Sequence, residues 1–285
     1  MNEVLVKRKA LAQIMERYLE GIIEKDVRKI PISDSCKITF NGMICALGNN
    51  MLWHNTLTIQ KRQSFFDVET GGIVFYGITS NEVFERMEHF PLEDTSHFIS
   101  YAVIIRLKVI DEMITEIEEL AWSGRYRYFY CLPQDICLPD PFFETSVPSE
   151  EKMTRDELIE VVELYWEGAF GQRGPDEIPI HPDAQRYENG YLVSNHSYSL
   201  RGDFKWNPPL INSGEDRRIT VPPEYRSYPI VDPARGIVVS MVSMIPRFNT
   251  TFILRIAEAF LVREGCIKRI MAFYPRIDND GGWKN

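Results

Sequence analysis

Cysteine is scarce and scattered. The 285 residues hold five, Cys36, Cys45, Cys131, Cys137 and Cys266, an odd number with no CxxC pair. Neither a disulfide framework nor a structural zinc site is expected from that spacing, and a reducing, cytoplasmic setting fits it. No glycine-rich phosphate loop is present, since Gly71-Gly72 reads as a turn. There is no GxSxG elbow and no histidine spacing that suits a metal. Nucleotide-dependent, serine-hydrolase and metal-dependent chemistries are therefore set aside, and no cofactor is expected. Long apolar runs are also missing: none approaches the roughly 20 residues of a membrane span. The N-terminal MNEVLVKRKALAQIMERY lacks the uninterrupted apolar core of a secretory signal. Positive charge is in deficit, with 32 Lys and Arg against 41 Asp and Glu and a formal net charge of −9. That balance disfavours a phosphate-binding surface, so neither nucleic acid nor a membrane is expected as partner.

What is present is ordinary globular material, 44% hydrophobic and 26% charged, in a length that suits two domains. Leu11, Ile14, Met15, Tyr18, Leu19 and Ile22 recur at helical spacing and predict an amphipathic helix over Leu5 to Lys25. Thr154-x-x-Glu157 is a capping box opening a second helix, whose apolar face carries Leu158, Val161, Val162, Tyr165 and Trp166. Between and after the helices, β-rich runs are punctuated by turn residues: Asp67 to Gly72, Asp111-Glu112 and Arg263-Glu264-Gly265.

The halves repeat. ERYLEG at Glu16 matches ELYWEG at Glu163, and IPISDSCKITFNG at Ile30 matches IPIHPDAQRYENG at Ile178. RQSFFDVETGGIVF matches RSYPIVDPARGIVV, and VIDEMITEIEEL matches VREGCIKRIMAF. Each half reads as a helix followed by antiparallel strands. The expected fold class is therefore α+β: two units, each a long helix closing a curved antiparallel sheet into a cone-shaped pocket, duplicated in tandem. Residues 1–123 and 153–285 are the expected repeats, joined by a proline- and aromatic-rich linker at 124–152. Arg62 and Arg226 sit at matching positions and are expected to pair with Asp67 and Asp232.

The stretches LGNNMLW, DVETGGIVFYG, LKVIDEMITEIE, QRYENG, YPIVDPARGIVV and the Gly-Gly-Trp tail resemble tandem members of the nuclear transport factor 2-like superfamily, also called SnoaL-like. The resemblance covers most of the chain and implies the cystatin-like cone fold. It also implies a range of activities: isomerases, polyketide cyclases, dehydratases, epoxide hydrolases, lyases of lignin-derived aromatics, and binding domains without chemistry. The first repeat departs from the pattern at Phe40, where the second has Glu188.

Strand alternation puts Arg186 and Glu188 on one face, and Tyr187 and Asn189 on the other. A carboxylate beside a guanidinium in a semi-apolar pocket is tuned by burial and charge to act as general acid or base. The alternative is an exposed edge-strand ion pair. The candidate catalytic residues are Glu188, Asp183, His196, His181, Arg186 and Tyr165, with Tyr165 or Arg186 stabilising an oxyanion. Tyr187, Trp166, Tyr228, Phe252, Trp53, His54, Tyr18 and Tyr101 are candidates for the substrate wall, with ordinary core packing as the alternative. The expected function is cofactor-independent acid/base chemistry, by a lyase, dehydratase, isomerase or cyclase, on a small apolar organic molecule. The resemblance suggests specialised metabolites (polyketide or terpenoid) or lignin-type aromatics. The alternatives are a non-catalytic small-molecule-binding or protein-scaffold pair, and an epoxide hydrolase built on an Asp-Arg-Asp cluster. A homodimer is compatible with this reading.

Overall fold

The apolar stripe of the first helix and the capping box of the second both form as the sequence dictates. In the computed structural model, which describes residues 3–81, 100–122, 136, 138–169, 172–192, 219–220, 223–246, 253–277 and 281–283, α1 runs Glu3–Glu24 and α3 runs Arg155–Ala169. Leu11, Ile14, Met15, Tyr18, Leu19 and Ile22 are all buried along α1. At the start of α3 the Thr154 amide donates to Glu157 Oε2 at 2.7 Å, and the Glu157 amide donates back to Thr154 Oγ1 at 3.3 Å.

The first unit continues with β1 (Ile32–Phe40), β2 (Met43–Ile44), the five-residue α2 (Met51–Asn55), β3 (Thr56–Asp67), β4 (Gly72–Asn81), β5 (Ser100–Ile110) and β6 (Met113–Trp122). The second unit follows α3 with β7 (Ile180–Glu188), β8 (Tyr191–Leu192), β9 (Ile219–Thr220), β10 (Arg226–Asp232), β11 (Ile237–Pro246), β12 (Ile253–Arg263), β13 (Cys266–Phe273) and β14 (Arg276–Ile277). They build a six-stranded sheet, β2-β1-β6-β5-β4-β3, and an eight-stranded sheet whose main path is β10-β11-β12-β13-β7-β8.

This corrects the expected fold class. The described chain is mostly β, with two mixed sheets and three helices, one of them a single short turn, rather than two cone-shaped helix-on-antiparallel-sheet units. In each sheet one pair runs parallel: β1 beside β6, with Ile38 opposite Ile117, and β7 beside β13, with Arg186 opposite Ile270. Alternation within a strand reports which face a side chain takes, but not the direction of the neighbouring strand, so these pairs were not legible beforehand.

Three apolar layers hold the molecule. α1 covers the outer face of the first sheet through Tyr18, Ile38, Phe75 and Ile105. α3 covers the outer face of the second through Val162, Tyr165, Ile256 and Phe260. The inner faces meet each other, packing Val74, Tyr76, Ile104 and Leu120 against Val239, Ala257, Met271 and Phe273. Ile136, Leu138 and Phe143 from the linker join this central layer.

Charged groups inside the central layer are paired, whereas the buried Tyr76 hydroxyl has no hydrogen-bond partner among the described residues. Glu118, 1% exposed, accepts from Arg255 Nε at 2.8 Å across the inter-sheet boundary and from Arg106 Nε at 3.1 Å on its own sheet. Two reciprocal ties flank it. Arg155 of α3 reaches Asp67 at the end of β3 at 2.8 Å, while Arg8 of α1 reaches Asp232 at the end of β10 at 2.7 Å. Arg62 and Arg226 therefore do not take those aspartates, contrary to expectation; they pair with Glu16 and Glu163, the matching glutamates of the two helices. Close approach between units also explains Gly72, where a Cβ would lie 2.1 Å from the Pro229 carbonyl oxygen.

Removing one member of a buried charge network leaves the others unpaired in a low dielectric. Glu118→Ala is expected to lower the unfolding free energy by roughly 3–5 kcal/mol, measured by urea titration, because Arg106 and Arg255 would be stranded between the sheets.

Candidate functional site

The shared Ile-Pro-Ile to Asn-Gly stretch is structural in both units. Asn41 and Asn189 adopt φ of 46° and 48°, followed by Gly42 and Gly190 at 79° and 83°, the left-handed pair that closes a tight hairpin. The differences lie within the strands before those turns. Arg186 and Glu188 face α3, as alternation predicts, while Tyr187 faces the other way.

Arg186 is 2% exposed and forms the hub of a polar cluster. One amino group donates to Tyr165 Oη and Glu258 Oε1, the other to Tyr274 Oη, and Nε donates to Glu188 Oε1 at 3.0 Å. Tyr165 donates in turn to Glu258 Oε1 at 2.8 Å. Burial opposes the charge on Arg186, but Glu258 foremost among its neighbours holds it protonated. Burial pushes the Glu258 carboxyl up against the pull of Arg186, with Glu188 pushing the same way. Glu258 is completely buried, and its Oε2 has no hydrogen-bond partner among the described residues. Glu188 is 28% exposed and forms the open edge of the cluster.

The same place in the first unit holds Glu119, also completely buried. It comes from β6 rather than β5: Glu119 stands opposite Ile105, whereas in the second unit Glu258 of β12 stands opposite Ala272. Tyr18, the counterpart of Tyr165, donates to Glu119 Oε1 at 2.9 Å. Trp53 Nε1 donates to the same oxygen at 2.9 Å, and Asn50 Nδ2 donates to Oε2 at 2.8 Å. Burial raises this carboxyl to about 7, against the lowering influence of its three donors.

The proposed set therefore divides. Arg186, Glu188 and Tyr165 come together. His181 and Asp183 do not join them: they lie at the exposed start of β7, where the Asp183 amide donates to His181 Nδ1. Asp183 is exposed, and among the described residues the carboxylates that reach Arg186 are Glu188 and Glu258 rather than aspartates. His196 and Phe252 lie outside the described residues. Trp166 packs in the core and donates to Ser240 Oγ at 3.3 Å, and Tyr228 is bonded to Glu163. Tyr101 packs against the first core, and His54 is exposed. Tyr187 faces a separate cavity of about 50 Å³, shared with Ile136, Arg269 and Phe273.

Sequence reasoning missed Glu119, Glu258 and Tyr274. For Glu258 the signal was a charged residue inside an otherwise apolar run, IAEAFLV; for Glu119 it was two adjacent glutamates in EIEELAW, which alternation turns to opposite faces of the strand.

The family model described as Domain of unknown function (DUF8021) matches residues 151–274, which span α3 to the end of β13 and thus the Arg186 cluster. No curated protein matches the chain. A crystal structure of a de novo designed protein with curved beta-sheet is similar at 19% identity, over 43% of this chain and 88% of that one, with a TM-score of 0.29. A likeness that low carries no argument about fold or function.

The raised Glu119 carboxyl has a defined pH signature. Its contribution to stability is present below its ordinary value of 4.5 and is lost as pH rises through about 7. Glu119→Gln removes this titration. Between about pH 5 and 8 the wild type should lose on the order of 2–3 kcal/mol of unfolding free energy relative to the variant, measured by denaturant titration at each pH.

Proposed function

We propose that the second unit carries out acid/base chemistry on a small, largely apolar organic molecule. The observation that carries this reading is the placement of Arg186 between a fully buried carboxyl, Glu258, and a partly exposed one, Glu188, with two tyrosine hydroxyls completing the set. Two carboxyl groups in unlike environments can hold different protonation states at one pH, which is what proton removal and return require. Glu188, at the open edge, is the proton-accepting group. Arg186 and the hydroxyls of Tyr165 and Tyr274 are the donors toward a developing oxyanion. Elimination, isomerisation, cyclisation and retro-aldol cleavage share that first demand: loss of a proton beside a group that can take up negative charge.

The net acidic charge of the chain argues against a polyanionic polymer as the substrate. The setting we propose is the cytoplasm. Cys36, Cys45 and Cys266 are free thiols, and no helix among the described residues is long and apolar enough to cross a membrane.

A second reading, a non-catalytic binding or scaffold pair, is favoured by a different observation. The cavity of about 50 Å³ beside Tyr187 lies on the opposite face of β7 from Arg186.

Deuterium exchange separates the two readings. A panel of small cyclic ketones, enones and β-hydroxy ketones is incubated with protein in D₂O and followed by NMR. Wild-type protein should catalyse exchange at carbon next to the carbonyl, and Glu188→Gln should lower the rate about 10²- to 10⁴-fold with the circular-dichroism spectrum unchanged. Ligand-induced thermal stabilisation without any exchange would establish the binding reading instead.

A further inference from the structure

The buried carboxylate of the first unit lacks the arginine that accompanies its counterpart. The position matching Arg186 is Ile38, which is apolar and buried. Glu119 is satisfied by three uncharged donors, each from a different segment: the Tyr18 hydroxyl on α1, the Asn50 side-chain amide, and the Trp53 indole on α2. Asn50 has a second task. Its Oδ1 accepts from the amides of Leu52 and Trp53 at 3.0 and 3.3 Å, capping α2 at its first turn. Glu119 thus fixes the amide that fixes the helix, and also fixes the indole that helix buries.

We propose that Glu119 is a pH-sensitive latch on α2: ionised, it holds Asn50 and Trp53 in place, and on taking a proton it loosens them.

Three donors converge on the ionised carboxylate, two on Oε1 and one on Oε2, which leaves one of its lone-pair sites for a proton. A proton there displaces no donor, but it removes the charge that strengthens all three bonds, since a hydrogen bond to an ionised acceptor is roughly twice as strong as one to a neutral acceptor. The three donors accordingly favour the ionised form against the effect of burial. No cation among the described residues pairs with Glu119. The ionisable groups that act on the centre are Tyr18 from α1, Cys45 from the segment before α2, and Cys36 of β1, whose influence falls on Tyr18. Burial raises both thiols, so neither supplies a compensating charge near neutrality. The titration of Glu119 at about 7 puts the latch in the range a cell traverses.

The test follows the Trp53 indole N–H by ¹⁵N-correlated NMR from about pH 5 to 9, its resonance identified with Trp53→Phe among the five tryptophans. The indole signal should titrate with one midpoint near 7. Relative to the intrinsic rate at each pH, amide exchange of Leu52 to Asn55 should quicken about tenfold below that midpoint, the equivalent of one hydrogen bond, through local openings that leave Glu119 buried and so do not offset its stabilisation of the whole fold at low pH. In Glu119→Gln the midpoint should vanish. Tyr18→Phe provides an independent check: loss of a donor that favours the ionised form should move the midpoint upward. An indole that does not titrate, or that titrates unchanged in Glu119→Gln, overturns the proposal. So does a titrating indole with constant amide exchange, since Glu119 would then change charge without moving α2.

Discussion

Both sheets are covered on both faces, and that constraint governs most of what the chain does with its polar residues. An ordinary antiparallel sheet leaves one face wet, and alternate residues can be charged at little cost. Here a helix takes one face and the opposite sheet takes the other. A charged side chain buried between these layers must therefore find partners inside the protein or remain uncharged. Glu118, Glu119, Arg255 and Glu258 are four answers to the same demand. Glu118 and Arg255 answer it by pairing across the sheets, Glu258 by an arginine on its own sheet, and Glu119 by neutral donors alone.

The adjacent pair Glu118-Glu119 shows how fine the distinction is. Successive residues of a strand face opposite ways. Glu118 points into the inter-sheet layer and meets Arg106 and Arg255, which lower its pKa against the effect of burial. Glu119 points toward α1 and meets no cation among the described residues, and burial raises its carboxyl. One peptide unit separates a carboxylate with an assured charge from one poised near neutrality.

Helices, turns and the internal repeat were legible in the sequence because they rest on local rules: the spacing along α1, the Thr154-Glu157 box, the Asn-Gly closures. The grouping of Arg186 with Glu188 and Tyr165 was legible too, since strand alternation and the aligned tyrosines both pointed to it. What lay hidden depends on pairing. The parallel neighbours of β1 and β7 leave no local mark, so the mixed character of the sheets could not be read. Glu258 escaped notice because its counterpart, Glu119, had moved to the adjoining strand. An alignment of the halves sets Glu119 against Ala272 and Glu258 against Ile105, and the match exists only across the ladder. The assignment of Arg62 and Arg226 to the nearby aspartates failed for a similar reason: those aspartates are claimed by Arg155 and Arg8, from the helix of the opposite unit.

That exchange of arginines has a mechanical side. Each long helix forms the outer wall of its own unit, yet its first turns are moored to the rim of the other through Arg8–Asp232 and Arg155–Asp67. A helix cannot swing away from its own sheet at that end without casting off from its neighbour. A displacement of the first turn of α3 is thereby transmitted as a pull on the first unit, and the converse holds for α1. The two halves, each with a helix-covered core of its own, are pinned to one another by the exchanged ion pairs.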